Sequence, residues 1–342
     1  MNPNTFPNPS ATGLDSESNS KDTATSQQER FWAITAYFNP ANYRRRLSNY
    51  RIFRQHLNVP LLTVELGFNG SFQLGPGDAD ILIQSPKGDV LWQKERLLNI
   101  AMKKLPVHVD KVVWLDCDIL FEQEAWSTQA KDLLDRYPLV QAYSEVVRLL
   151  EHQTSIDDPR DVAGLTGRAS ICRQLGPGQN LQDFIRTTPT APGRLFPGPI
   201  GFGWAFRRSL FHDRGLYDVD VLGGGDVSLV SALSGCFDIA IQSHCLAERS
   251  KAHFLDWAKS LHAEVDQNVS CLDTQIFHLW HGDLINRRYE TRYRGFEQFS
   301  FDPESDIALN EYSTWNWNSK KPDLHRYTAE YFKSRQEDGQ FA

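Results

Sequence analysis

The chain reads as an α/β protein built on a mostly parallel central sheet, and three observations carry that reading. Strand-like apolar runs alternate with stretches of helical period over residues 31–121. Strands separated by helices pair in parallel through right-handed crossovers. The strand-like run "KVVWLDCDILF", residues 111–121, carries two carboxylates one residue apart. They fall where an open α/β sheet forms its ligand crevice, at a strand's carboxyl end.

The elements follow in order. Residues 1–30 are rich in Ser, Thr, Asn, Asp and Pro with almost no core formers, and read as a disordered tail. Order begins at "FWAITAYF" (31–38), a strand ended by Asn39-Pro40. In "NYRRRLSNYRIFRQHL", Tyr43, Leu47, Tyr50, Phe53 and Leu57 recur at three- and four-residue steps, which predicts a helix. "PLLTVELGF" (60–68) and "DILIQ" (80–84) predict two further strands, and "LWQKERLLNIAMKKL" (91–105) a second helix. Beyond about residue 122 the pattern loosens into Gly- and Pro-dense loops and short elements. Residues 245–265 read as helix, and the carboxy-terminal stretch as an aromatic helix after a loop.

Composition narrows the function classes. The 342 residues are 40% hydrophobic and 23% charged, as in a soluble globular protein. A net charge of −7 argues against broad phosphate-backbone binding to nucleic acid. No apolar run approaches the roughly 18 residues that span a bilayer, and no secretion signal is evident. The five cysteines are scattered and without a CxxC pair, so neither a disulfide framework nor a cysteine zinc site is expected. Together these features read as cytoplasmic.

Four constellations can carry chemistry. Asp116 and Asp118 can meet one divalent cation, and hard oxygen ligands suit Mn²⁺ or Mg²⁺ bridging a diphosphate; a solvated strand end is the alternative. In "FHLWHGD", His278 and His281 are three apart and can ligate Mn²⁺, with Trp280 as a pocket wall; each can equally be an ordinary core or surface histidine. In "GLYDVDVLGGGDVSLV", Gly224 and Gly225 let backbone approach a ligand and precede Asp226. That Asp226 also reads as a helix N-cap on a glycine turn. In "GPIGFGWAFRRSLF", glycines alternate with Phe202, Trp204 and Phe206, which suits a strand beside a sugar ring and suits a tight core strand equally well.

In this order the motifs resemble those of the type A, Rossmann-like glycosyltransferases, near family 2 and the β-1,4-galactosyltransferase-like enzymes. "WQKERLLN" looks like the helix before their D-x-D strand, "GWAFRRSLF…GLYDVDVLGGGDVSL" like their Gly-rich strand and "GGED" turn, and "HLWHG" like their late histidine motif. The resemblance covers about 31–295. It implies a single catalytic domain there, with a nucleotide-binding half at 31–121, an acceptor half at 122–295 and a helical extension at 296–342. It further implies a metal-dependent inverting transfer from a nucleotide sugar, UDP-linked, to a glycan or other hydroxyl acceptor. Asp118 would bind Mn²⁺ or Mg²⁺, Asp116 would contact the metal shell or the ribose, and His278 or His281 would be a late metal ligand. Asp226 would be the general base. Phe38, Asn39 and Glu65 would flank base and ribose, Lys94 or Arg96 would face the diphosphate, and Trp204, Gly224, Gly225 and Trp280 would line the sugar pocket.

One departure stands out: the Glu of "GGED" is Gly225 here, which bears on acceptor binding and the donor sugar. It also lends support to a non-catalytic carbohydrate-binding relative of the same fold. "WLDCDIL" resembles, in addition, the haloacid-dehalogenase-type phosphatase box. Against that, Leu120 replaces the expected hydroxyl or Val, and Val230 the expected later Asp.

Overall fold

Four strands of the amino-terminal third pair in parallel, and their order positions the rest of the molecule. In the computed structural model, which describes residues 29–176 and 178–339, β1 (Phe31–Phe38) lies between β2 (Leu61–Leu66) and β4 (Lys111–Leu115). β3 (Ile81–Ser85) pairs with β2, and all three pairings are parallel. The helix Arg44–His56 returns the chain from β1 to β2, and the helix Lys94–Lys104 from β3 to β4. Successive crossovers thus add strands on opposite sides of β1. The resulting switch point opens a crevice at the carboxyl ends of β1 and β4. Leu97, Leu98 and Ala101 of the second helix are buried in the core that covers this sheet.

Beyond β4 the sheet continues through β9 (Gly203–Arg207), β6 (Leu139–Gln141) and β10 (Val269–Cys271). β9 runs antiparallel to both its neighbours, while β10 is parallel to β6. The α/β class with a mostly parallel central sheet is therefore as expected, and so is a helical carboxy-terminal region.

The stretch 111–121 is not one strand. β4 ends at Leu115, and β5 (Ile119–Phe121) belongs to a second, four-stranded sheet. There β5 is antiparallel to β11 (Gln275–His278), β11 is parallel to β7 (Glu145–Arg148), and β7 is antiparallel to β8 (Gly167–Ala169). The Asp116 N–H donates to the Phe202 carbonyl at 2.8 Å, and the Asp118 carbonyl accepts from the Leu279 N–H at 2.9 Å. Those two bonds hold the turn at which the chain changes sheets. Phe202 takes φ 75°, a left-handed conformation that costs a bulky residue about 1 kcal/mol or more.

The carboxy-terminal hairpin, β12 (Ile307–Leu309) with β13 (Trp315–Trp317), leads to the helix Pro322–Ser334. The chain then folds back over the amino-terminal half. Asp338 accepts from the Arg44 and Arg45 N–H groups at 3.0 and 2.7 Å, supplying the acid that the Arg44–His56 helix lacks in its first turn. Of the expected tail, residues 1–28 lie outside the described residues. The cysteines are unpaired thiols. Among the described residues, no helix is long and apolar enough to cross a membrane.

Arg208 closes the carboxyl end of the Lys94–Lys104 helix, donating to the carbonyls of Met102, Leu105, Pro106 and Val109. Arg208→Ala strands those acceptors and is expected to cost about 2 kcal/mol. Urea unfolding checks this as a lowered midpoint with an unchanged m value.

Candidate active site

A cavity of about 560 Å³ opens at the crevice between β1 and β4. The change of sheet delivers Asp118 to its floor. β11 brings His278 beside Ile119, and the turn after it adds His281. The three side chains each present a ligand atom, and these lie within 4.8 Å of one another. His281 Nε2 is 3.0 Å from Asp118 Oδ2, His278 Nε2 is 3.7 Å from Oδ1, and the two imidazole nitrogens are 3.1 Å apart. Asp118 Oδ1 is buried without a hydrogen-bond partner. A buried carboxylate oxygen with no donor, beside two imidazoles, is a donor set that fits a divalent cation. His281 is set for this role by Glu337, whose Oε1 lies 3.7 Å from Nδ1 and favours the tautomer with a free Nε2 lone pair. Burial holds the His278 imidazole well below its ordinary value, with His281 and Arg148 assisting against Asp118. Burial alone would raise the Asp118 carboxyl, but the two histidines override it and keep it far below the usual carboxylate range.

Lys94, the first residue of its helix, reaches both remaining acids. Its Nζ is 2.7 Å from Asp116 Oδ1 and 3.6 Å from Asp226 Oδ1. Asp226 sits in the first turn of the helix Gly225–Ser234, but its side chain does not cap that helix. The carboxylate faces the cavity, and burial raises its pKa, opposed by Lys94 and reinforced by Asp116. The glycines before it have different reasons. Gly224 has φ 112°, and a Cβ there would meet His244 Nε2 at 2.4 Å. A Cβ on Gly225 would meet the Glu95 carboxylate at 2.3 Å, so Glu95 already fills the space a larger residue would need.

Eight of the residues singled out in the sequence line this one cavity: Phe38, Lys94, Asp116, Asp118, Gly224, Asp226, His278 and His281. Six do not line it, and each has its place or partners elsewhere. Glu65 is 1% exposed and spends its carboxylate on the N–H groups of Gln73 and Leu74 and the Gln84 amide, so it ties down a loop. Asn39 is committed to Tyr43 and Gln73. Arg96 turns to Asp218 at 3.0 Å and stacks over Trp315. Trp204 is wholly buried in the sheet, its indole N–H bonded to the Ile200 carbonyl. Trp280 carries the Arg45 guanidinium on its ring, away from the cavity. Gly225 lies behind Asp226 against Glu95.

Sequence reasoning missed the cavity's arginines. Arg287, Arg292 and Arg294 come from "NRRYETRYRGF", a basic and aromatic run that was visible as such. Arg46 and Arg335 meet over Glu337, at 2.8 and 2.6 Å. Little local marks Glu337: apart from Arg335 two residues before it, its partners Arg46 and His281 come from distant segments.

No protein-family model matches the chain, and no curated protein matches it. Solved structures do. Glucosyl-3-phosphoglycerate synthase from Mycobacterium tuberculosis, in complex with Mn²⁺, UDP and phosphoglyceric acid, is similar at 10% identity and a TM-score of 0.38, over 82% of each chain. S. aureus TarS is similar at 12% identity and a TM-score of 0.35, over 91% of this chain and 44% of that one. Its 1–349 piece in complex with UDP gives 12% and 0.36, over 89% and 70%. These neighbours have the type A glycosyltransferase fold. The likeness is one of fold, and at these values it carries no argument for activity.

Two outcomes test the site's construction. Burial, opposed by Lys94, pushes the Glu95 carboxyl up to about 8. A raised folded-state pKa contributes stability below the unfolded value, lost as pH rises through the folded one. The protein is therefore expected to lose a few kcal/mol (~3) between about pH 4.5 and 8 that Glu95→Gln retains; urea titrations across that range read it. Separately, Glu337→Gln loosens His281 and is expected to weaken Mn²⁺ binding about 10-fold or more, measured by calorimetry with circular dichroism confirming the fold.

Proposed function

We propose that the chain is a metal-dependent inverting glycosyltransferase that moves a sugar from a nucleotide sugar, UDP-linked, to an acceptor hydroxyl. One observation carries the reading: the Asp118–His278–His281 cluster and the Asp226 carboxylate line the same cavity, with Lys94 between Asp116 and Asp226. The carboxyl ends of β1 and β4, with Phe38, offer the nucleotide a place beside Asp116. Asp118, His281 and His278 would hold the divalent cation, Mn²⁺ or Mg²⁺. When bound, the ion supplies Lewis-acid neutralisation of the leaving diphosphate.

The remaining chemistry belongs to the chain's own residues. Asp226 accepts the proton of the acceptor hydroxyl, and its raised pKa makes it a better base than a free carboxylate. The hydroxyl oxygen attacks the anomeric carbon as the bond to the diphosphate breaks, and a single in-line displacement inverts the centre. No second carboxylate acts as nucleophile, unlike in a retaining glycosidase. Lys94 adds a fixed positive charge beside the D-x-D turn.

UDP is the first nucleotide to titrate. It is expected to bind with Mn²⁺ present, to lose that affinity in EDTA, and to lose it likewise in Asp118→Ala. Failure of UDP and the other nucleoside diphosphates to bind would sink the proposal. Asp226→Asn is expected to keep UDP affinity and to lower kcat about 10²- to 10⁴-fold, the contribution of a general base. Unchanged turnover in that variant would remove Asp226 from the chemistry.

A further inference from the structure

The cavity is strongly cationic in a chain whose net charge is −7: eight arginines and Lys94 line it, against Asp116, Asp118, Asp226 and Glu290. Part of that charge is already matched. Arg46 and Arg335 are paired with Glu337, and Arg287 and Arg292 donate to the phenols of Tyr289 and Tyr331. Among the described residues no carboxylate lies within 4.0 Å of Arg287, Arg292 or Arg294, nor of Arg148, Arg168 and Arg194, the distance that defines the ion pairs elsewhere in the chain. The last three are set apart by place, gathered on the side of the second sheet.

The second sheet explains how they come together. Arg148 on β7 is level with His278 on the neighbouring strand, and Arg168 on β8 is level with Val146, two residues before Arg148. Residues two apart on a strand share a face. Arg148 and Arg168 thus stand on the face that carries His278, progressively further from the amino-terminal strands. Arg148 lies over the Phe202 ring, 5.6 Å from its centre. Arg194 reaches the same region from the loop before Phe196. Burial lowers the pKa of Arg168, and Arg194 lowers it further, as expected of like charges held together without a counter-ion. Glu290 is the acid on this side; it is exposed and lies against Gly193.

A nucleoside diphosphate on a divalent cation brings only about one net negative charge. On the proposed reading it would lie at the D-x-D turn, on the other side of His278 from β8. Uncompensated guanidinium groups clustered beyond it remain available to a second anion, and their forked donors match phosphate oxygens in pairs. We propose that Arg148, Arg168 and Arg194 form an acceptor subsite, and that the acceptor carries a phosphate ester beside the hydroxyl to be glycosylated. This rests on the glycosyltransferase reading for the word acceptor, but not for the anion site itself.

The probe is glycerol 2-phosphate, titrated into protein saturated with UDP and Mn²⁺, with glycerol as the neutral control. It is expected to bind where glycerol does not. The double variant Arg168→Ala/Arg194→Ala changes partly exposed side chains, and is expected to lose about 10-fold or more of that affinity. Its UDP affinity and thermal midpoint stay as in the parent, which shows that it folds. Sedimentation with vesicles containing phosphatidic acid, lost in the same variant, would support a lipid-borne ester; its absence alongside soluble binding would support a soluble one. Two results overturn the proposal: no binding of the ester, or competition with UDP together with an equal loss of UDP affinity in the variant. The latter assigns the arginines to the donor diphosphate. If UDP itself fails to bind the parent while the ester binds and the variant loses it, the transferase reading falls and the anion site stands.

Discussion

The structure depends on the change of sheets at Asp116-Cys117-Asp118. A strand that stayed in one ladder would keep both carboxylates on one face of a single sheet, with Cys117 on the other. Leaving β4 and joining β11 instead carries Asp118 to the histidines of β11 and the turn after it, while Asp116 stays within reach of Lys94. The turn is held by its own backbone bonds to Phe202 and Leu279. Each partner precedes or follows another site element: Phe202 leads into β9, and Leu279 separates the two histidines. One local rearrangement thus ties three distant segments to a common point.

Charge is handled differently on the cavity's two sides. Near β1, every buried ion has a partner: Lys94 with two aspartates, and Glu337 with Arg46 and Arg335. Burying an unpaired charge costs several kcal/mol, so such groups are found paired or ligated. Glu337 is 0% exposed and its pKa lies well below the ordinary range, because burial is outweighed by the two guanidiniums. It couples the carboxy-terminal segment to the β1 side and to His281 at once. On the β8 side the guanidiniums face solvent-accessible space, where an unpaired cation is tolerable and available.

Glu95 shows how a departure from a motif is absorbed by packing. The residue that a "GGED" pattern would place at position 225 would have to displace the Glu95 side chain, whose carboxylate lies 2.3 Å from where its Cβ would be. A carboxyl group remains in the neighbourhood, but it comes from the helix before β4 and sits beneath Asp226 rather than beside it in sequence.

Local pattern was enough to foretell the parallel core and the acids at the end of its strand. Periodicity in residues 31–121 is local and hydrophobic, so β1, the two helices and β4 were legible, and Asp116, Asp118 and Lys94 with them. Asp226, His278 and His281 were legible as motif residues, though their own spacing left other readings open. Only the tertiary structure decided which polar residues face the cavity. Asn39, Glu65 and Arg96 lie in or beside elements that reach it, yet each is drawn off by partners elsewhere, Asn39 and Glu65 by the loop at Gln73 and Arg96 by Asp218. Trp204 went to the core because β9 has neighbours on both sides, which no strand reveals on its own. The arginines of β7, β8 and the carboxy-terminal segment were invisible for the converse reason: short strands carry little periodic signal. Their meaning comes from pairing register and long-range electrostatics, which exist only once the chain has closed.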